Sequence, residues 1–542
     1  MATTPGRERA VLDSAHVGDI QGAFGTIRQH DTGARRSWRA RALTLAAIIG
    51  PGLIVMVGDN DAGGVATYSQ AGQTYGTSLL WVLLLLIPVL IVNQEMVVRL
   101  GAVTGVGHAR LINERFGRFW GWFSVGDLFL LNFLTIVTEF IGVSLALSYF
   151  GVSEYLSVPI AAVLLVAITA SGSFRRWERV MFVFVFANLL VIPLFFMSHP
   201  KIGPIAHDFV VPGIAGGATS TSVLLIIAIV GTTVAPWQLF FQQSNVIDKR
   251  ITPRWINYER LDTWIGAFIV VLGAAALIAI SAFALHNHGF GLFKDAGRTA
   301  ADLKKTLGSV AGAFFAVVLL NASLIGAGAL TLSTSYAFGD MFGTKSSLHR
   351  SFKDARSFYL IFAGLIVGAA AIVLIPGAPL GVITTSVQAL AGVLLPSATV
   401  FLLLLCNDRA VLGPWRNPGW LNVLATIIVA TLVLLSLILM ATTVFPKLDV
   451  TSFALIGGGV FAAALLLFGA WALRSGRTRG DVTVIDEAPS AVPKSQWTMP
   501  QLTFLEPAVW STGKKAAMLG LRGYLVVSVV LLVVKAAQLS GA

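Results

Sequence analysis

The sequence predicts an all-α, polytopic membrane protein built from two halves of five hydrophobic segments, and three observations lead to this prediction. Of the 542 residues, 56% are hydrophobic and only 12% are charged, and the mean hydropathy is +0.80. Such values are typical of a chain with many membrane spans and exclude a large soluble domain. Apolar stretches of about 20 residues, enough for a helix to cross a bilayer, recur along nearly the whole chain. Glycine-rich breaks interrupt the first and the sixth of these stretches.

The apolar stretches predict about twelve membrane-spanning helices. In chain order the predicted helices are 43–72, 78–99, 120–150, 155–170, 180–197, 220–244, 264–286, 307–338, 358–376, 380–406, 420–445 and 452–473. A final apolar run, 523–534, is short and is followed by Lys535, which indicates a marginal span or an interfacial helix.

The two breaks are the most informative part of the chain. Residues 57–65 read Val-Gly-Asp-Asn-Asp-Ala-Gly-Gly-Val, and residues 229–238 read Ile-Val-Gly-Thr-Thr-Val-Ala-Pro-Trp-Gln. Non-helical backbone at membrane depth is expected only where protein, water or a bound ion satisfies its N–H and C=O groups. Breaks at corresponding positions of two halves are typical of secondary transporters with inverted repeats. Each break therefore predicts part of a binding site.

The basic residues predict the topology. The net charge is +12, and the basic residues gather in alternate connections, at 35–41, 110–118, 175–179, 249–260, 345–356 and 474–479. The positive-inside rule then places the N-terminus in the cytoplasm of a multi-pass protein of the cell's inner (plasma) membrane, and it explains the charge without nucleic acid.

The chain is predicted to be one membrane domain with tails. Residues 1–41 are expected to form a flexible cytoplasmic tail without a cleavable signal peptide, because no apolar run precedes residue 42. Residues 42–445 form the core of helices 1 to 11, 446–473 an additional helix, and 474–542 a cytoplasmic linker followed by the short apolar segment. The single cysteine, Cys406, excludes an internal disulfide and a multi-thiolate metal site.

Ionisable side chains inside apolar segments are costly and usually functional. The candidates are Asp59, Asp61, Glu95, Asp127 and Glu139. Glu95 is four residues before Arg99, so a local ion pair is favoured, and Asp127 is either structural or functional. Asp61 lies in the glycine-flanked break, and Glu139 lies deep in its helix without a basic neighbour in sequence, so both need a cation. Carboxylates beside freed carbonyls suit magnesium, calcium, manganese or sodium.

Four helices carry a resemblance to a known family. Residues 50–67 resemble the first-helix signature of the Nramp divalent-metal transporters, whose core Asp-Pro-Gly-Asn reads Asp-Ala-Gly-Gly at 61–64 here. Residues 235–237, Ala-Pro-Trp, resemble the family's sixth-helix signature Met-Pro-His. Residues 139–142 match the family's third helix, and Gln388, upstream of residues 394–396, matches its tenth helix. The resemblance covers roughly residues 41–445. It implies a LeuT-like 5+5 inverted repeat with broken helices 1 and 6, and alternating-access transport of a divalent metal ion without a resident cofactor.

The departures from the family pattern concern the metal ligands. The family holds a transition metal with the Asp and Asn of the first motif, the Met of the second, and backbone carbonyls; here Gly64 replaces the Asn and Ala235 the Met. Loss of the soft thioether removes the preference for transition ions, and the smaller side chains predict a wider cavity that suits a partly hydrated magnesium ion. The pattern resembles the Nramp-related magnesium transporters of prokaryotes, which implies import of Mg²⁺ and also of Mn²⁺.

The resemblance also implies a set of site residues. By position the site is lined by Asp61, Glu139, Gln242, the backbone carbonyl of Thr232, and Gln388, with Gly64 and Ala235 at the altered ligand positions. For Gln242, a hydrogen bond to a neighbouring helix stays an alternative role.

Proton coupling is not expected. The family's symporters use a histidine in helix 6 and an aspartate one turn before the helix 3 glutamate, positions that hold Trp237 and Ile136 here, and the later helix 6 histidine is Gln242. All eight histidines fall in tails, loops or predicted helix ends. The prediction is transport driven by the membrane potential.

Alternatives of other classes stay open at this point. They are a proton-coupled Mn²⁺ or Fe²⁺ symporter of the Nramp type, a sodium-coupled transporter of organic substrates with the same fold, and a metal-sensing receptor that uses the same pocket. An enzyme is not expected, because the predicted spans contain no Ser/His/Asp, Cys/His or His-Glu-x-x-His set. The expected partners are the metal ion and the lipid bilayer, with no nucleic acid, and the oligomeric state is left open, a monomer being plausible.

Overall fold

The computed structural model describes residues 10, 12–376, 380–445, 449, 452–464, 467, 493–508, 518–520, 523, 524, 526 and 527. Over these residues the chain is helical apart from one short hairpin, and nine helices are long and apolar enough to cross a membrane. The number is ten if the bent pair Trp38–Ile48 and Pro51–Asp59, which meet at 55°, forms one span. The prediction of an all-α polytopic membrane protein is confirmed.

The first predicted span consists of three helices. These are α1 (Trp38–Ile48), α2 (Pro51–Asp59) and α3 (Ala62–Tyr75). Gly50, with φ 154°, turns the chain between α1 and α2 in a conformation that favours glycine. Asn60 and Asp61 then separate α2 from α3, so the first break lies within the predicted stretch 57–65.

The rest of the first half contains seven helices. They are α4 (Leu80–Thr104), α5 (His108–Phe116), α6 (Arg118–Ser148), α7 (Glu154–Thr169), α8 (Phe174–Ala187), α9 (Val191–Met197) and α10 (Ile202–Val210). The second half begins with a helix that is broken in the same way, as α11 (Ser220–Thr233) and α12 (Pro236–Asp248). The second break therefore lies at residues 234 and 235, inside the predicted stretch 229–238.

Between the second break and residue 445, seven α-helices follow in the described part of the chain. They are α13 (Ile256–Ala284), α14 (Ala296–Leu307), α15 (Ser309–Phe342), α16 (Arg356–Val373), α17 (Leu380–Cys406), α18 (Arg409–Leu412) and α19 (Gly419–Val444). Short 3-10 turns occur at Ser14–His16, Asn188–Leu190, Pro253–Trp255, Gly413–Trp415, Lys494–Gln496 and Leu502–Phe504. The predicted fourth span is a shorter apolar helix, Glu154–Thr169. Of the predicted twelfth span, residues 452–464 are described as an apolar helix, and residues 465, 466 and 468–473 lie outside the described residues.

Helix α13 holds both halves of the first broken helix. It packs against α2 and α3, while α6 packs against α15 and α11 against α17. The side chain of Asp262 on α13 accepts hydrogen bonds from the backbone N–H groups of Gly50, Gly52 and Leu53, at 3.0, 2.8 and 3.2 Å. The first N–H groups of a helix have no partner within the helix, so Asp262 caps α2 from a distant part of the chain.

The N-terminal segment, residues 12–36, differs from the predicted flexible tail. It contains the 3-10 turn Ser14–His16 and an antiparallel hairpin of β1 (Ile20–Gly22) and β2 (Gly25–Ile27). Ile20 and Ile27 are buried in the core. The segment is thus packed on the helices, and its cytoplasmic location stays a prediction.

Side chains from distant helices hold this segment. Arg350 donates to Asp13 at 2.6 Å, and the Arg250 guanidinium donates to the carbonyl of Ala15 at 2.9 Å. Such contacts join residues more than 200 positions apart, so local sequence patterns do not reveal them.

Part of the predicted C-terminal linker is also packed on the core. The backbone N–H of Met499 donates to the carbonyl of Val103 at 3.0 Å, and the indole of Trp415 donates to the carbonyl of Lys494 at 2.8 Å. Residues 480–492 and most of the apolar run 523–534 lie outside the described residues.

Candidate metal site

The first break fixes the position of Asp61. Its extended backbone makes it the N-cap of α3, and Oδ1 accepts a hydrogen bond of 2.7 Å from the N–H of Gly64. The side chain is 3% exposed. A helix N-terminus favours a carboxylate, through the cap hydrogen bond and the helix dipole. Asp61 therefore places a negative charge where the helix is interrupted.

Glu139 of α6 lies beside Asp61. Its Oε2 accepts a hydrogen bond of 3.1 Å from the N–H of Ala62, and Oε1 has no hydrogen-bond partner within the described part of the chain. A Cβ placed on Gly326 of α15 would lie 2.7 Å from Glu139 Oε2 and 3.0 Å from the Asp61 Cβ. Gly326 therefore packs directly against both acidic residues, and a larger side chain at this position of α15 would overlap them.

Neither carboxylate is paired with a basic side chain. The ion pairs between the described residues involve other acids. An unpaired buried carboxylate is costly inside a membrane. The pair of acids therefore suits a cation, as the sequence predicts.

The second break meets the first at Gly64. Ala235 is the extended, buried residue before α12, and Pro236 begins the helix without an N–H that would need a partner. A Cβ placed on Gly64 would lie 3.2 Å from the hydroxyl oxygen of Thr232. That hydroxyl is buried and has no partner among the described residues. The structure thus brings the side chain of Thr232 close to the first break, and the predicted role of its backbone carbonyl stays a prediction.

Gln388 of α17 also reaches the first break. A Cβ on Gly63 would overlap the Gln388 side chain, so the amide lies directly over the backbone of the break. Its Nε2 has no hydrogen-bond partner among the residues that the structure describes, and the residue is 2% exposed.

Gln242 points to a different partner. Its Nε2 donates a hydrogen bond of 2.9 Å to the hydroxyl of Thr263 on α13. This contact fits the alternative role, an amide bonded to a neighbouring helix. The Oε1 atom of Gln242 is buried and has no hydrogen-bond partner among the described residues, and its predicted role at the metal site stays a prediction.

Two residues near the site were not assigned by sequence reasoning. Asp59, the last residue of α2, is fully buried and accepts a hydrogen bond from the side chain of Gln238 on α12. The side-chain oxygen Oε1 of Gln238 in turn accepts a hydrogen bond of 3.0 Å from the side chain of Gln94 on α4. Asp59 could have been found as the second acid of the same break, whereas its partner is 179 positions away.

The other two acids that the sequence singles out, Glu95 and Asp127, have partners elsewhere. Glu95 pairs with Arg99 at 3.0 Å, as predicted, and also with Arg260 at 2.6 Å. Asp127 accepts a hydrogen bond of 2.9 Å from the hydroxyl of Ser397. The carboxylate of Glu95 is therefore explained by its ion pairs, whereas Oδ1 of Asp127 has no hydrogen-bond partner among the described residues.

The donor set at the breaks consists of oxygen atoms. Within the described residues, no group of three or more His, Cys, Asp or Glu side chains is arranged to hold a metal ion. A site here would therefore combine the two carboxylates of Asp61 and Glu139 with hydroxyl, amide and carbonyl oxygens. Oxygen donors of this kind suit hard cations.

Broken helices that meet around buried acids define this molecule as a membrane protein of the inverted-repeat transporter class. The chain matches the Nramp family model, described as natural resistance-associated macrophage protein-like, over residues 52–442. The chain belongs to the Nramp family.

Several relatives are similar along most of their length. The divalent metal cation transporter MntH 1 of Pseudomonas aeruginosa is 29% identical over 399 residues, which cover 70% of this chain and 88% of that protein. The divalent metal cation transporter MntH of Aeromonas hydrophila is 25% identical over 413 residues, 73% of this chain and 96% of that protein. Both names describe transporters rather than enzymes.

A solved structure shows the same fold. The crystal structure of the Eremococcus coleocola manganese transporter, in complex with an aromatic bis-isothiourea substituted compound, has a TM-score of 0.65 and 21% identity. It covers 86% of this chain and 99% of the other. The predicted LeuT-like arrangement is confirmed.

Proposed function

We propose that this protein imports divalent cations across the plasma membrane, principally Mg²⁺ and also Mn²⁺, by alternating access without obligatory proton coupling. The observation that carries the proposal is the meeting of both breaks around Asp61 and Glu139, with Gly64 and Ala235 in place of the family's Asn and Met. The names of the relatives support transport of divalent metal ions, and they do not decide which ion.

Magnesium is favoured by the chemistry of the donors. Without a thioether at Ala235, the residues around the breaks offer oxygen atoms, and oxygen donors do not prefer transition ions as sulfur does. Magnesium dehydrates reluctantly and keeps several waters. The unpartnered oxygens of Glu139 and Thr232 can accept hydrogen bonds from such waters.

The predicted wider cavity is not seen at Gly64. A Cβ there would lie 3.1 Å from the Asp59 carbonyl, 3.2 Å from the Thr232 hydroxyl and 3.3 Å from the Tyr68 ring. Neighbouring groups therefore occupy the volume that an Asn would take. The selectivity argument depends on ligand chemistry in this conformation, and not on the size of the site.

The first prediction is that Asp61→Ala abolishes uptake of Mg²⁺ into proteoliposomes while the protein still folds. Asp61 supplies the charge at the break, and alanine can neither cap α3 nor bind a cation. Glu139→Ala should reduce uptake less, because water can replace a carboxylate that contacts the ion through its hydration shell.

Asp127→Ala is the matched control, since it removes a carboxylate that lies on the same helix as Glu139 and is bonded to Ser397. Its uptake should stay close to that of the unchanged protein. Near-normal Mg²⁺ flux in a folded Asp61→Ala protein would contradict the assignment of Asp61 to the metal site.

A proton-coupled Mn²⁺ symporter is the second candidate. The names of the manganese transporter and of the MntH relatives favour it, and Glu139 and Asp61 could exchange a proton. The positions of the histidines oppose it, because all eight lie outside the candidate spans.

A further inference from the structure

We propose that the N-terminal segment, residues 12–36, is a brake on transport. Docked as it is in this structure, the segment joins two groups of helices at one end of the molecule, and its release from one group speeds transport. The segment lies outside residues 52–442, which match the family model, so the family resemblance does not account for its contacts. The inference rests on the proposed function, because it takes the chain to work by alternating access.

Helix packing defines the two groups. In the first group, α13 packs against α2, α3 and α4, and α12 packs against α2 and α4. In the second group, α6 packs against α7, α15 and α16, and α8 joins this group through its contact with α15. Transporters with broken helices commonly open their site to each side in turn by movement of one bundle of helices against another. The two groups therefore have to separate, once in each cycle, at the end where the N-terminal segment lies.

The segment contacts the first group through α1 and the end of α12. Helix α1 leads directly into α2, and a Cβ placed on Gly25 of the hairpin would lie 2.9 Å from the Cβ of Ala47 on α1. Arg250, two residues after α12, donates hydrogen bonds to the carbonyls of Ala15 at 2.9 Å and of Asp19 at 3.1 Å. The hairpin and the turn before it are thus both held by the first group.

The segment contacts the second group through α8 and the connection between α15 and α16. Arg350 lies in that connection, and its guanidinium donates to both carboxylate oxygens of Asp13, with a shortest distance of 2.6 Å. On α8, Arg179 donates to the carbonyl of Ala23 at 3.1 Å. Hydrogen bonds between charged groups are stronger than those between neutral groups. The segment is therefore bound to both groups at once.

Glu178 of α8 connects the segment to an ion pair between the two groups. Its Oε2 accepts a hydrogen bond of 2.5 Å from the N–H of Ala23, and its Oε1 pairs at 2.5 Å with Lys249, the residue after α12. Lys249 also donates to the carbonyl of Ile49, between α1 and α2, at 2.8 Å. Both charged side chains are 0% exposed, and opposite charges attract more strongly away from water. Because the backbone of Ala23 occupies Oε2, release of the segment leaves this oxygen to water and weakens the contact between the groups.

The docked segment favours the conformation in which the two groups are close. A segment that is bound to both groups must leave one of them whenever the groups separate. An interaction that is made in only one conformation favours that conformation, so the free energy of docking adds to the cost of opening this end of the molecule. Loss of docking contacts should therefore speed transport. Loosening a purely structural segment would instead slow transport or destabilise the protein.

The test is the initial rate of Mg²⁺ or Mn²⁺ uptake into proteoliposomes by the full chain with Asp13→Asn, Phe24→Ala, or both changes. Asp13→Asn removes the charge that binds Arg350, and Phe24→Ala removes a ring whose centroid lies 4.6 Å from that of Phe182 on α8. Each single change should raise the rate about fivefold, because a lost hydrogen bond or aromatic pair is worth about this factor. Thr26→Ala is the matched control on the same hairpin, since Thr26 is exposed and its replacement should leave the rate unchanged.

Release of the segment is measured separately from transport, by the mobility of a spin label at Thr26→Cys in a Cys406→Ser protein. Mobility should rise when Asp13→Asn and Phe24→Ala are combined. It should also rise in the otherwise unchanged protein when a gradient of the ion drives transport, because the segment is then released in each cycle. The same gradient should not raise mobility in Asp61→Ala, which is predicted to be inactive.

The outcomes separate this inference from the proposed function. If the unchanged protein takes up neither Mg²⁺ nor Mn²⁺, the proposed function fails and the brake fails with it. If it takes up either ion, and the folded double variant has a mobile label but transports at the unchanged rate or more slowly, only the brake is overturned. An immobile label in the double variant also overturns the inference, because the contacts with Arg350 and Phe182 then do not hold the segment. If the double variant does not fold, the two single variants decide in the same way.

Discussion

Single residues at the two breaks are predicted to set which ion the site prefers. Gly64 and Ala235 stand where the family has an amide and a thioether, and a Cβ at Gly64 would already touch Asp59, Thr232 and Tyr68. The double change Gly64→Asn with Ala235→Met should therefore lower Mg²⁺ transport and raise the relative transport of Mn²⁺ and Cd²⁺, because it adds soft ligation and crowds the site. Competition of the three ions for uptake into proteoliposomes measures the shift.

The matched control is Gly64→Asn with Ala235→Leu, which adds similar volume without sulfur. It should lose Mg²⁺ transport without gaining Cd²⁺. An unchanged ratio of Mg²⁺ to Mn²⁺ in the folded Met variant would show that the missing thioether is not the selectivity element.

The candidate site could be predicted in part from single residues. Asp61 and Glu139 stand out because acids are rare in apolar segments, and the structure places them side by side. Gln242 shows the limit of such reasoning, since a position in a signature does not fix the partners of a side chain; its Nε2 bonds Thr263, whereas its Oε1 has no partner among the described residues. Asp59 was visible in the sequence, but its partner Gln238 comes from the other broken helix.

Some structural elements are predicted by residues within the element itself, and others are not. Both breaks fall inside the stretches predicted from glycine and proline, because these residues interrupt helices by their own backbone properties. The N-terminal segment has no such signal, since Arg350 and Arg250 hold it from the second half of the chain. The packing of this segment against the helices could therefore not be predicted from residues 12–36 alone.

Docking of the N-terminal segment should weaken as pH rises. His16 Nε2 lies 3.4 Å from Asp248 Oδ1. Burial lowers the pKa of His16, but Asp248, Asp13 and Asp340 outweigh this effect and raise the pKa above its usual 6.5. A raised pKa in the docked state means that the stabilisation is complete below the undocked value and is lost as pH rises through the docked one.

The measurement is the mobility of a spin label on the exposed Thr26, in a Thr26→Cys, Cys406→Ser protein, between about pH 6 and pH 9. We expect mobility to increase with pH, and His16→Ala to be mobile throughout. Asp13→Asn is the control. Despite burial, hydrogen bonds from Arg350 and the N–H of Ala15 lower the pKa of Asp13, so Asp13 does not titrate between pH 6 and pH 9. Loss of the Asp13 charge should therefore loosen the segment without a pH midpoint in this range. A label that is equally immobile at both pH values contradicts the role of His16.

At the scale of the whole molecule, the position of the breaks predicts the architecture. Two interrupted helices, one in each half, whose unpaired backbone groups lie together are typical of an inverted repeat. The structure shows the meeting point at Gly64, where α3 faces Thr232 of α11. The packing that closes the space around it depends on side chains from α6, α15 and α17, and no local pattern specifies how they meet.

The last prediction concerns the driving force of transport, which depends on titratable groups throughout the molecule. We expect that metal flux is not obligatorily tied to proton flux. Trp237 and Ile136 are buried, apolar replacements for the family's titratable groups, and all eight histidines lie outside the candidate spans. A membrane potential supplies about 2.3 kcal/mol per charge per 100 mV, and about twice that for a divalent ion, so no second gradient is needed for uptake.

The experiment is inward flux of Mg²⁺ or Mn²⁺ into proteoliposomes held at a controlled potential, with a pH-sensitive dye trapped inside. We expect flux to follow voltage and concentration while the internal pH stays constant. Acidic external pH should only reduce the rate, because protons compete with the cation for carboxylates; competition changes flux without moving protons. Ile136→Asp with Trp237→His restores the family's two groups and is the matched comparison, in which proton entry could appear. Stoichiometric, metal-dependent acidification by the unchanged protein would refute the uncoupled mechanism and favour the symporter, because only coupled transport carries a proton with each metal ion.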